Sequence, residues 1–111
     1  MPTFITTGRL TQDAVKGLAA KPEDRSEAVG KLIAAAGGKL LHYYVTTGDT
    51  DFLLISEAPG ADVAVAACMA AAASGAVSDV RTVQAWSSAE FKAVAAKAGQ
   101  VIAAYRAPGK S

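Results

Sequence analysis

The stretch Leu40 to Glu57, LLHYYVTTGDTDFLLISE, most constrains what this chain can become. Two apolar runs of strand length flank a Gly-Asp-Thr-Asp turn, the pattern of a β-hairpin. A strand with one face in water alternates apolar and polar residues, because successive side chains point to opposite sides. Here Leu41, Tyr43 and Val45 point one way while Leu40, His42 and Tyr44 point the other. Across the turn, Phe52 and Leu54 oppose Leu53 and Ile55. Neither face is polar, so the hairpin belongs in a sheet covered on both sides.

The flanking segments supply that sheet. Thr3 to Gly8 is short, β-branched and bounded by Pro2 and Gly8-Arg9, which predicts a first strand. Thr11 to Ala20 supports one or two helical turns and reads as a structured connector. Pro22 sits where a helix accepts a residue lacking an amide proton. Glu23, Asp24 and Glu27 then place negative charge at the positive end of the helix dipole. Ala28, Val29, Leu32, Ile33 and Ala36 keep helical spacing up to a Gly37-Gly38 stop.

The hairpin strands span Lys39 to Thr47 and Asp51 to Ala58. Pro59-Gly60 ends them. Asp62 is the expected N-cap of a second helix, apolar nearly all round, running to Ser74 and stopped by Gly75. Val65, Cys68, Met69 and Ala72 are its expected core face. Val77 to Trp86 is the last strand. Ser87 and Glu90 have capping-box spacing, and Trp86 and Phe91 are placed to form a hydrophobic staple. The stripe Phe91, Val94, Ala95, Ala98, Val101, Ile102 and Tyr105 predicts a third helix continuing past Gly99, with a frayed tail from Pro108 to Ser111.

The order β-α-β-β-α-β-α contains the split βαβ arrangement. The expected fold is α+β and ferredoxin-like, with a four-stranded antiparallel sheet, two helices on one face and an extra C-terminal helix. All 111 residues form one domain. Because the second sheet face is apolar, a homodimer or higher homo-oligomer through that face is the expected partner state.

Composition narrows the function classes. Apolar residues make up 51% and the net charge is +1 with no basic cluster, which argues against nucleic acid as a partner. The longest apolar stretch, Ala61 to Ala73, is shorter than the roughly 20 residues of a membrane span and carries Asp62. No signal peptide is visible, and the single cysteine, Cys68, cannot form an intrachain disulfide; the expected location is cytoplasmic.

The segment TTGDTDFLLISEAPG, Thr46 to Gly60, resembles the motif for which the GYD family is named: Thr-x-Gly-x-Tyr-Asp, an apolar strand, then Glu-Ala-Pro. An Arg25-containing first helix, Gly37-Gly38-Lys39 before the second strand and Val80-Arg81-Thr82 in the last strand extend the likeness over roughly Thr3 to Ala98. Thr50 stands where the family has its namesake tyrosine. The resemblance implies a dimeric α/β barrel, in which two sheets pack face to face. It implies no particular reaction.

Each chemical candidate carries a plainer role beside it. Gly48 and Asp51 suit turn geometry, Asp51 by bonding backbone amides; the sharper role makes Asp51 a base or a cation ligand at a pocket mouth. His42 and Tyr44 share one strand face. With Trp86 they could line a cavity for a phenolic or quinone-like ligand, or serve as interface aromatics whose polar tips find hydrogen bonds. Cys68 reads as a buried, inert thiol. Arg9, Lys16 and Arg25 could gather at one end of the sheet and bind an anion, with solvated charges as the plainer role. One histidine and one cysteine make no zinc set, so no metal and no cofactor is expected, although haem ligation by His42 stays open. No Walker loop, GxGxxG or nucleophile elbow is present.

Three functions fit: a module binding a small apolar or aromatic ligand or serving assembly; a cofactor-independent oxygenase or isomerase using His42, Tyr44 and Trp86; and a purely structural oligomer subunit. The absence of a catalytic set leans away from an enzyme. A ligand-sized gap between helices and sheet separates the first two from the third.

Overall fold

The structure, a computed structural model, describes residues 1–110, so Ser111 at the end of the expected tail lies outside the described residues. The chain runs β1 (Thr3–Leu10), α1 (Gln12–Ala20), α2 (Arg25–Ala36), β2 (Lys39–Val45), β3 (Phe52–Glu57), α3 (Ala61–Ala73), β4 (Val77–Ala85) and α4 (Ser88–Val101), followed by a short 3₁₀ turn, Ile102–Ala104. The strands form one antiparallel sheet in the order β2-β3-β1-β4. This is the expected α+β ferredoxin-like arrangement.

The register sorts the side chains into two faces. Tyr43, Leu54, Thr6 and Thr82 form one row, directed at the helices. His42, Ile55, Ile5 and Val83 form a row on the opposite face, next to Tyr44, Leu53, Thr7 and Arg81. A bulge between Leu40 and His42 sets which hairpin residues look inward. The buried residues lie on the helix side: Phe52 and Leu54 pack with Ile33 of α2 and Ala67 of α3, while Phe4 packs with Ala58 and Ala64. Burying each phenylalanine stabilises the fold by about 1.5–3 kcal/mol. The opposite face stays open in the single chain, with Tyr44 and Val83 more than half exposed.

Local signals explain the helix ends, with two corrections. α2 begins at Arg25 because Asp24 caps it, the carboxylate accepting the Ser26 amide at 2.9 Å; Pro22 lies upstream in the connection. It ends at Gly37, whose φ of 103° is the left-handed conformation glycine adopts freely. The start of α3 corrects the capping expectation. Gly60 occupies the N-cap without a side-chain bond, and Asp62 lies inside the first turn, where its negative charge complements the positive end of the helix dipole.

The connector Thr11 to Ala20 forms a full nine-residue helix, α1, longer than its pattern suggested. Thr11 explains this. Its hydroxyl oxygen accepts the Ala14 amide and donates to the Gly75 carbonyl at 2.6 Å, while its own amide donates to Ala76 at 3.0 Å. A tertiary anchor fixes the first turn, and so helix formation does not depend on local propensity alone.

α4 carries both predicted devices. Ser87 Oγ accepts the Glu90 amide at 3.0 Å, and Glu90 Oε1 accepts the Ser87 amide at 2.8 Å. Trp86 meets Phe91 edge-on at 6.1 Å. The helix passes through Gly99 and tightens into the 3₁₀ turn, and Tyr105 is already extended.

Candidate functional site

Between the inner sheet face and the helices α2 and α3 lies a cavity of about 650 Å³, within the usual range of small-molecule sites. Leu54 and Phe52 form its floor, Val29 and Leu32 one wall, and alanines of α3 its ceiling. Ala14 and Leu18 of α1 line it too, giving the connector a place in the site. The cavity exists because α3 presents methyl groups where larger side chains would fill the gap.

Polar groups interrupt this apolar lining, Lys21, Ser56 and Ser74 among them, and two sets stand out. On the floor, Thr6 Oγ1 lies 2.9 Å from Thr82 Oγ1, which lies 3.2 Å from Cys68 Sγ. These three share hydrogen bonds with one another, consistent with a thiol that packs rather than reacts. The other set is Arg25 with Tyr43. Arg25 donates to Glu23 Oε1 at 2.9 Å, and Tyr43 stacks on Phe52 at 6.1 Å. Burial raises the Tyr43 pKa above the ordinary phenol value, and the field of the Arg25 guanidinium opposes that rise. Tyr43 is therefore a neutral phenol at physiological pH, able to donate or accept, beside a permanent cation.

The residues singled out from sequence fall elsewhere. His42 and Tyr44 share a face as expected and stack at 6.1 Å with 12° between ring planes, but that face is the open one. Trp86 follows β4, the edge strand farthest from β2 in the sheet order. None of the three lines the cavity, and His42 and Tyr44 lie on the other face of the sheet from it. The cause is strand parity: with the bulge at Leu41, Tyr43 turns inward and its two ring-bearing neighbours turn outward.

Asp51 is a clamp in the structure. Its carboxylate accepts the Leu10 amide at 2.9 Å, and its own amide donates to the Gly8 carbonyl at 2.7 Å. β3 has no residue opposite β1 beyond Gly8, so Asp51 supplies the bonds that another pair of strand residues would make. Gly48 adopts φ 97° in the turn. Thr46 Oγ1 donates to the Thr50 carbonyl at 2.9 Å, closing the loop through main-chain atoms of the residue that replaces the family tyrosine. Of Arg9, Lys16 and Arg25, only Arg25 lines the cavity. Sequence reasoning gave Tyr43 no role and preferred a solvated charge to an anion site for Arg25; the available signal was their placement on adjoining elements, a helix and the strand that follows it.

Fold and cavity together define a class: a ferredoxin-like α+β domain with a ligand-sized gap between its helices and sheet. The family model described as GYD domain matches residues 4–95, and the chain belongs to the GYD domain family. No curated protein matches it. Among solved structures it is similar to the crystal structure of TTHA0845 from Thermus thermophilus, with a TM-score of 0.51 and 18% identity over 79% of this chain and 96% of that one. At that identity the likeness shows the fold. Among the described residues, no helix is long and apolar enough to cross a membrane.

Proposed function

We propose that this chain is a homodimeric small-molecule-binding protein that holds an apolar or aromatic ligand between its helices and sheet. The observation that carries the reading is the 650 Å³ cavity itself, since a purely structural subunit has no use for an unfilled core. Its walls suit a flat or branched hydrocarbon body, and Arg25 with Tyr43 suits one oxygen-bearing or anionic end. The dimer reading is supported by the row His42–Ile55–Ile5–Val83 on the open face, in which the three residues after the imidazole are apolar. Binding is favoured over catalysis because the only histidine lies outside the cavity.

The test uses anilinonaphthalene sulfonate, an aromatic body with one anionic end, as fluorescent probe, competed by a panel of phenols and quinols. Val80→Phe fills the cavity and leaves the open face untouched. The expected result is saturable binding of one probe per chain, weakened about tenfold or more by the variant, or ~1.4 kcal/mol. Absence of saturable binding, or equal binding to the variant, overturns the proposal.

A further inference from the structure

We infer that α4 is an exchanged arm, which in solution packs its apolar stripe against the outer face of α3 in a second copy of this chain. Every residue of α4 is exposed. Phe91, Val94 and Val101 retain between 39% and 59% of their accessible surface although they repeat at helical spacing along one side, and Ile102 and Tyr105 just beyond the helix retain 72% and 73%. An amphipathic helix has such a stripe because something covers it. The capping box and the Trp86–Phe91 contact fix how the helix leaves β4, so its projection is built in. A helix of this length is marginal in water without tertiary packing.

The size of the uncovered surface identifies the partner. The chain measures 64 × 30 × 22 Å with a radius of gyration of 18.0 Å, against about 13 Å for a compact chain of this length. Its accessible surface is 7766 Å², whereas a compact monomer of 11.2 kDa exposes about 5,700 Å². The excess, about 2,000 Å² per chain, lies within the share that each subunit buries in an obligate homodimer. A second copy also brings the complementary surface. The outer side of α3 is apolar, with Val65 and Met69 46% and 68% exposed among alanines. Ala95 and Ala98 on the arm and the alanines of α3 allow the two helices to approach to about 8 Å. A reciprocal exchange covers both surfaces at once and closes the assembly.

The arm would then brace the helix that roofs the partner's cavity, since Ala64, Ala67 and Cys68 of α3 line that cavity from above. The family match ends at residue 95, within α4, so the distal half of the arm lies beyond the matched region. The inference does not rest on the cavity being occupied or on the sheets meeting.

A spin label on Lys92→Cys, on the charged side of α4, in a Cys68→Ser background tests it. Labelled chains are mixed with an excess of unlabelled, nitrogen-15 chains of wild-type sequence, so that any broadening seen is between copies. The expected result is a dimeric sedimentation mass and selective loss of amide signal from Val65 to Ala73 of the isotope-marked copy. A dimer without that loss overturns the arm exchange and leaves sheet pairing standing. A monomer at micromolar concentration overturns both. Ile102→Asp in the full chain serves as a control: abolished broadening supports the docking, and unchanged broadening overturns it.

Discussion

The Asp51 carboxylate accepts the main-chain amide of Leu10 at 2.9 Å, joining the hairpin turn to the end of a strand forty-one positions earlier. Removing the acceptor leaves a part-buried donor unpaired, which costs about 1–3 kcal/mol. Asp51→Ala is expected to lower the denaturation midpoint accordingly, and Asp51→Asn, whose amide oxygen also accepts, to recover most of the loss. A side chain with a catalytic rather than a clamping role would leave Asp51→Ala as stable as the wild type. Equilibrium unfolding in urea, alongside probe binding, separates the two.

Gly8 is held by its neighbour's size. A methyl group there would lie 2.7 Å from the Phe52 ring, and that ring is buried against the cavity floor and stacked on Tyr43. Gly8→Ala is expected to destabilise the chain by about 1–3 kcal/mol, as overpacking does. Urea unfolding measures the cost, and an unchanged midpoint shows that Phe52 moves aside freely.

Tyr43 links stability to alkaline pH. Its folded-state pKa is raised, chiefly by burial, so the fold favours the neutral phenol. That contribution is complete below the ordinary phenol range and disappears as pH rises through the raised value. Tyr43→Phe is expected to flatten this part of the stability profile. Arg25→Ala removes the opposing cation and moves the Tyr43 titration further up, read from phenolate absorbance after subtraction of the Tyr43→Phe signal. A downward movement refutes the assignment.

Glu90 gives the arm an acid-sensitive root. The Ser87 amide and then its hydroxyl hold the Glu90 carboxyl below the ordinary glutamate value. The stabilisation is present above that ordinary value and is lost as pH falls through the lowered one. Amide protection at Ser87 and Glu90, relative to the intrinsic exchange rate, is expected to fall in that window, and Glu90→Gln, whose side chain accepts but does not titrate, to remove the pH dependence. Protection that stays flat with pH in the wild type excludes this coupling.

His42 separates the two sheet faces experimentally. His42→Ala is expected to leave probe affinity in the cavity unchanged, because the side chain lies across the sheet from it. A large loss of affinity would place His42 in a site shared between copies, and isothermal titration distinguishes the outcomes.

What could be read before the structure was whatever neighbouring residues decide. Ser87 with Glu90 and Trp86 with Phe91 act within a few positions, and each appears as its spacing implied. α1 was underestimated because Thr11 draws its strength from Gly75 and Ala76, far along the chain. Whether a cavity exists was left open, and the residues named as its lining lie away from it for a related reason. A hairpin apolar on both faces gives no clue to which face meets the helices, and the bulge at Leu41 settles the parity only once strands pair. Choosing residues by chemical type favoured His42 and Tyr44, while orientation selects Tyr43.

The alanine ceiling of the cavity has an evolutionary consequence. Alanine and valine codons differ by one base, and every Ala-to-Val exchange along the inner side of α3 would subtract volume without disturbing the sheet. Ala64, Ala67 and Ala71 line that side. The volume of this cavity can therefore drift by single nucleotide steps in lineages carrying this domain, with the scaffold held constant.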